Sequence, residues 1–293
     1  MTNDYIDSQV YDLYDEYCHT PMTRREFLNK ASALAVASGS ALVMAEALLP
    51  RYAMAQTISF TDERIIPKYI EYDSPGGTSG TMRGYLVRPA GGGPFPAILV
   101  IHENRGLNPY IEDVARRFAV EGFVALAPDG LSPIGGYPGN DDDGKVMQKS
   151  LDQDKLFTDL LNGAGFLKSH ELSNGRLGAT GFCYGGGVVN KLAVVMGPEL
   201  NAGVPFYGRS PAMVEVAKIE APLMIQYAED DPRVNATRQE YQQALEEHGK
   251  DFVMHTYPGT RHGFHNNSTP RYNEVQAQIA WERTIAFLRK HLS

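Results

Sequence analysis

Leu177-Gly178-Ala179-Thr180-Gly181-Phe182-Cys183-Tyr184-Gly185-Gly186-Gly187 is the stretch that decides the fold. An apolar run ends in Gly-x-Cys-x-Gly, and a helix-compatible segment follows. This is the sequence form of a nucleophile elbow, with cysteine in the place usually held by serine. A side chain on so tight a strand-to-helix turn sits at strained backbone angles. Side chains two residues before and after it would collide, so Gly181 and Gly185 keep those places empty. The turn presents the sulfur at the carboxyl end of a strand and aims the Tyr184 N–H at a developing oxyanion. The competing reading is a buried structural cysteine beside a Gly-rich turn, since free cysteine is often buried.

Working outward, Ala97 to His102 and Phe123 to Pro128 are continuous apolar runs, the pattern of strands buried on both faces. Asn201 to Tyr207, Ala221 to Ala228 and Asp251 to Tyr257 read the same way. Helical segments alternate with them: Tyr110 to Glu121, Lys145 to His170, Tyr184 to Met196, Ala236 to His248 and Glu274 to His291. Alternation of this kind predicts an α/β fold with a mostly parallel sheet and helices on both faces. Ile65 to Tyr72 and Thr81 to Arg88, split by Ser74-Pro75-Gly76-Gly77-Thr78, predict an N-terminal antiparallel hairpin at one edge. Asp129 to Gly144 reads as a long polar loop, a lid or rim. There is no internal repeat and no second-domain boundary, so residues 56–293 are expected to form one domain.

The 293 residues are 43% hydrophobic and 21% charged, with a net charge of −8. With an acidic balance and no basic run in the globular part, nucleic acid and anionic membrane surfaces are poor partners. There are two cysteines, Cys18 and Cys183, and no zinc-finger spacing, so a structural metal is not expected.

Residues 1–22 are polar and acidic with scattered tyrosines, and no helical or strand period stands out. Thr23-Arg24-Arg25-Glu26-Phe27-Leu28-Asn29-Lys30 follows, then an apolar stretch from Ala31 to Leu49 interrupted by Glu46, then Ala53-Met54-Ala55. That order describes an export signal, and the paired arginines before Phe-Leu resemble the twin-arginine (Tat) signal. The expectation is a leader over residues 1–55, cut before Gln56, and a bacterial periplasmic or secreted product. The partners implied are the Tat export machinery and no stable membrane anchor. The competing reading is a buried or amphipathic N-terminal helix. If the leader is removed, Cys183 is left without a partner thiol.

Glu103, Cys183, Asp231 and His262 each stand just after an apolar strand, at the edge where α/β sheets bind ligands. The order Cys183, Asp231, His262 is nucleophile, acid, base. From about Ile65 to the C-terminus the chain resembles the dienelactone hydrolase (carboxymethylenebutenolidase) family of the α/β-hydrolase superfamily. The resemblance rests on His102-Glu103-Asn104-Arg105-Gly106-Leu107-Asn108, Gly181-Phe182-Cys183-Tyr184-Gly185-Gly186, Tyr227 to Asn235, and Tyr257-Pro258-Gly259-Thr260-Arg261-His262-Gly263-Phe264. It implies hydrolysis of a lactone or small activated ester by a Cys–His–Asp triad through a thioester, with no cofactor and no metal. By the same resemblance Glu103 hydrogen-bonds the resting thiol, and the N–H groups of Tyr184 and Asn104 form the oxyanion hole.

Two departures stand out. Glu229 occupies a place that is often glycine in the family, and Asp230 beside Asp231 is a rival for the acid role. Asn266 stands where lactonases of the family carry an arginine that holds a substrate carboxylate. Arg105, Arg209, Arg261 and Arg271 are unranked substitutes. His265 reads as a loop residue near the site, His102 as a hydrogen-bonding residue at a strand end, Trp281 as core and Asp141-Asp142-Asp143 as a solvated loop. The rival functions are a broad acyl hydrolase or thiol peptidase and, in another class, a non-catalytic binding protein on a hydrolase scaffold. A redox or thiol-sensing role is disfavoured by the lack of a resolving cysteine.

Overall fold

The computed structural model describes residues 8–20, 22–34 and 48–293. Residues 35–47, which carry most of the apolar N-terminal stretch and Glu46, lie outside the described residues. In chain order the strands are β1 (Ile65–Ser74), β2 (Gly80–Pro89), β3 (Phe95–Ile101), β4 (Val124–Pro128), β5 (Ser173–Phe182), β6 (Ala202–Phe206), β7 (Leu223–Asp230) and β8 (Phe252–Arg261). They form one sheet in the order β1-β2-β4-β3-β5-β6-β7-β8. β1 pairs antiparallel with β2 and β2 antiparallel with β4, while the remaining pairs are parallel. The fold is thus the α/β-hydrolase type, with its antiparallel pair at the edge.

The helices are α1 (Ser8–His19), α2 (Arg24–Leu34), α3 (Tyr52–Ala55), α4 (Pro109–Val120), α5 (Asp141–Ser150), α6 (Gln153–Ser169), α7 (Tyr184–Met196), α8 (Pro232–Asn235), α9 (Arg238–Glu247) and α10 (Glu274–Leu292). α4 and α10 cover one face of the sheet, with Ile111, Val114, Phe118, Trp281, Ile285 and Leu288 in that core. Trp281 is therefore core, and the Arg117 guanidinium lies 4.0 Å over its ring. α6, α7 and α9 cover the other face through Phe157, Leu160, Leu167, Val189, Leu192, Tyr241 and Leu245. Burying apolar strands from both sides gives the sheet its stability and leaves its carboxyl edge to carry chemistry.

Three local readings need correction. The segment Lys145 to His170 is two helices, because the Asp152 carboxylate accepts the N–H groups of Asp154 and Lys155 and restarts the helix as an N-cap. Asp141-Asp142-Asp143 is not a solvated loop but the first turn of α5, capped by Asn140, where carboxylates meet the positive end of the helix dipole. Asp141 is nearly buried and pairs with Arg105 at 2.8 Å. The polar loop expected up to Gly144 is shortened accordingly and contains a 3₁₀ turn at Ser132–Ile134.

The third correction concerns the N-terminal segment, which forms the helices α1 and α2. Val10, Leu13, Tyr14, Tyr17 and Cys18 recur at helical spacing and are all buried. With Met22, Phe27, Ala31 and Leu48 they form a small core of their own, in which the Tyr17 and Phe27 rings stack at 4.8 Å. α2 opens on a capping box. Thr23 Oγ1 accepts the Glu26 N–H, and Glu26 Oε2 accepts the Thr23 N–H at 2.8 Å. Arg24 and Arg25 are exposed on this helix. Among the described residues no helix is long and apolar enough to cross a membrane.

Candidate active site

β5 ends at Phe182, and Cys183 turns the chain into α7 with φ 56° and ψ −110°. That conformation strains a non-glycine residue and is held by its surroundings. A Cβ on Gly181 would lie 2.3 Å from the Gly185 carbonyl oxygen, and one on Gly185 would lie 2.3 Å from the Ile101 oxygen. Only glycine fits at either place. Tyr184 is the first residue of α7, so its N–H has no acceptor within the helix. The half-buried sulfur of Cys183 lines a cavity of about 500 Å³ together with Asn104, Tyr184, Phe157, Arg209 and Arg233.

β8 delivers His262 and the end of β7 delivers Asp231. Nδ1 of His262 donates to Asp231 Oδ2 at 2.5 Å, and both side chains are buried. Asp231 also caps α8 by accepting the Val234 N–H. Asp230 points elsewhere and pairs with Arg261 at 3.1 Å. One donor atom each from Cys183 and His262 lies within 4.8 Å of the other. Burial alone would raise the Cys183 thiol, but the neighbouring imidazoles of His262 and His19 outweigh it and hold the pKa well below the ordinary thiol value. Burial pulls His262 down, yet Cys183 and Asp231 raise it above an ordinary imidazole. The opposite shifts describe a thiolate–imidazolium pair.

Glu103, just past β3, is buried, and burial raises its carboxyl pKa against the pull of Arg105. Its hydrogen bond comes from Asn266 Nδ2 at 3.1 Å. Among the described residues it makes none to the Cys183 thiol, so the contact implied by resemblance is replaced by Asn266. His102 donates from Nδ1 to the Glu103 carbonyl and accepts the Gly130 N–H, a tautomer assigned from those partners. It pins the strand end. His265 is buried against the Tyr110 hydroxyl at 2.7 Å.

Of the four arginines considered, three are occupied. Arg105 pairs with Asp141, Arg261 with Asp12 and Asp230, and Arg271 with Asp15 at 3.5 Å. Arg209 alone of the four lines the cavity, and among the described residues its guanidinium has no hydrogen-bond or ion-pair partner. No residue of 129–144 lines that cavity. That segment instead holds its neighbours, through Asp141 on Arg105 and Asp142 on the Tyr17 hydroxyl.

Two site residues escaped the sequence reading. His19, the last residue of α1, places Nε2 3.5 Å from Cys183 Sγ and packs edge-on against the His262 ring. Arg233 brings Nη2 to 2.9 Å from His19 Nε2. Asp15 favours the His19 imidazolium, whereas a guanidinium only donates and needs Nε2 unprotonated. Burial pulls His19 down, yet hydrogen bonds to Asp15 and Cys183 outweigh it and raise its pKa to about 10, with Nδ1 facing the Asp15 carbonyl at 2.8 Å. Arg233 carried a signal in its place beside Asp231. His19 carried one only in the buried period of α1.

The family model described as "Dienelactone hydrolase family" matches residues 82–292, and a second, "YqhI-like", matches residues 1–36. The "Putative hydrolase fragment YghX" of Escherichia coli is 58% identical over 114 residues, 39% of this chain and 97% of that protein. The "Putative carboxymethylenebutenolidase" of Saccharolobus solfataricus is 30% identical over 261 residues, 76% of this chain and 98% of that protein. Among solved structures, a "Putative Dienelactone Hydrolase" from Klebsiella pneumoniae superposes with a TM-score of 0.67 at 26% identity, covering 77% of this chain and 99% of its own.

Proposed function

The chain belongs to the dienelactone hydrolase family and is a lactone or ester hydrolase, and from that premise we propose that it works through a Cys183–His262–Asp231 triad. The observation that carries the proposal is a strained cysteine at a helix N-terminus, facing an imidazole that a buried carboxylate orients at 2.5 Å. The Cys183 thiolate attacks the acyl carbon and forms a C–S bond. The carbonyl oxygen becomes an oxyanion held by the N–H groups of Tyr184 and Asn104. Collapse breaks the C–O bond, and the leaving alkoxide takes the His262 proton. His262 then draws a proton from water, which attacks the thioester and releases the thiolate. Asp231 keeps the imidazole in the correct tautomer throughout.

Arg209 is the proposed anchor for an anionic substituent, with Phe157 and Val188 supplying apolar wall in the same cavity. A panel of p-nitrophenyl esters, lactones and peptides tests the substrate class. Turnover of esters and lactones with an acyl adduct on Cys183 by mass spectrometry is the expected result. Peptide turnover without ester turnover would assign a thiol peptidase instead.

Residues 1–55 are proposed, from Thr23-Arg24-Arg25-Glu26-Phe27-Leu28 and Ala53-Met54-Ala55, to act as a twin-arginine export leader for a periplasmic or secreted enzyme. N-terminal sequencing of exported protein should read Gln56. An intact start retained in the cytoplasm would refute it.

A further inference from the structure

We propose that, in the uncleaved chain, His19, Cys183 and His262 form a three-ligand site for a zinc-class ion, which caps the sulfur and pins α1 to the body of the protein. The three donor atoms, one from each residue, lie within 4.8 Å of one another, with His19 Nε2 at 3.5 Å from Sγ. Ligands about 2.0–2.3 Å from a tetrahedral zinc stand roughly 3.3–3.8 Å apart, so small side-chain movements close the set. Nδ1 of His262 is committed to Asp231, which leaves Nε2 as its ligand atom. That Nε2 is buried and has no hydrogen-bond partner among the described residues.

The surroundings suit an ion. Each imidazole is backed on its other nitrogen, His262 by Asp231 and His19 by the carbonyl and carboxylate of Asp15. Such outer partners orient metal-bound histidines and raise their basicity. One thiolate and two imidazoles select zinc over magnesium or calcium, which prefer oxygen. The cavity lined by His19 and Cys183 leaves a fourth position open. Arg233 is the opposing feature, because its Nη2 competes for the lone pair of His19. Binding displaces to solvent whatever protons Sγ and the two Nε2 atoms hold, and forms one S–metal and two N–metal bonds. The ion blocks the sulfur and takes no part in hydrolysis, so the site stands or falls independently of the proposed mechanism.

The test uses the full chain, reduced and stripped with a chelator. Zn²⁺ is titrated against a chromophoric chelator, and Co²⁺ is used to read a thiolate-to-metal charge-transfer band. One ion per chain, that band, and protection of Cys183 from iodoacetamide are expected. His19→Ala should weaken Zn²⁺ binding more than ~100-fold and Asp15→Asn ~10–100-fold. Arg233→Gln should tighten it, and Cys18→Ser should leave it unchanged. Helix content by circular dichroism separates loss of a ligand from loss of α1. No binding at micromolar Zn²⁺, a Co²⁺ spectrum without the thiolate band, or unchanged affinity in both a folded His19→Ala and Asp15→Asn would overturn the site. Affinity lost in Cys18→Ser but kept in Cys183→Ser would overturn it as well.

Discussion

His19 and Cys183 are 164 positions apart in sequence, yet Nε2 of one lies 3.5 Å from Sγ of the other. The helix that carries His19 is also anchored by Asp12 on Arg261 and Asp15 on Arg271. The sulfur therefore has a neighbour from the N-terminal segment as well as one from the sheet edge. The segment read as a leader is part of the wall around Cys183 in the full chain.

A chain beginning at Gln56 should therefore expose Cys183. It keeps all eight strands and both sheet faces but loses α1, α2 and the short α3, and with them the separate small core. The rate of Cys183 alkylation by iodoacetamide should rise severalfold over that of the full chain at the same pH. Equal rates, measured by mass spectrometry on the Cys183 peptide, would show that α1 does not shield the sulfur.

The pH profile follows from the opposite shifts at the pair. Cys183 is held below an ordinary thiol and His262 above an ordinary imidazole, so the ion pair persists between the two values. As pH falls through the lowered Cys183 value the sulfur is protonated and acylation slows. As pH rises through the raised His262 value the leaving group loses its proton donor. Alkylation of Cys183 should thus remain fast at pH values well below the ~8.5 of a free thiol. A single rise centred near that ordinary value would contradict the pairing.

Asp231 and Asp230 are neighbours in sequence but not in role. Asp231 Oδ2 holds the His262 ring at 2.5 Å, whereas Asp230 faces Arg261 at the surface. Asp231→Asn should reduce kcat by roughly 10³–10⁴, as loss of the orienting carboxylate does in serine triads. Asp230→Asn should stay within a few-fold of the parent. Steady-state kinetics on a p-nitrophenyl ester decides, and a larger loss for Asp230→Asn would reverse the assignment.

What was legible in sequence was whatever leaves a local trace. Gly181 and Gly185 are forced by backbone atoms within 2.3 Å, and the apolar strands by burial on both faces. Asp231 and His262 follow such strands and inherit their position. The α1 helix left a weaker trace because its buried stripe includes Tyr14 and Tyr17, residues that also occur on surfaces. Thr23-Arg24-Arg25-Glu26 reads both as an export motif and as a capping box, and the structure shows the second use. The partner choice of Arg209 against Arg271 depends on tertiary neighbours, which no spacing encodes.

The elbow glycines give a prediction about stability separate from chemistry. A methyl group on Gly185 would meet the Ile101 oxygen at 2.3 Å and the His102 oxygen at 2.7 Å, all backbone atoms at the end of β3. Neither atom can swing aside as a flexible side chain would, so relief requires β3 and α7 to separate. That movement disturbs the parallel β3–β5 pairing that positions both Glu103 and Cys183. Gly185→Ala should destabilise the protein by at least ~1–3 kcal/mol, the usual cost of overpacking. Gly165→Ala, in a helix with open space around it, should be neutral or slightly stabilising. Urea unfolding of the two variants compares them directly, and a Gly185→Ala protein as stable as the parent would mean the turn is looser than its contacts imply.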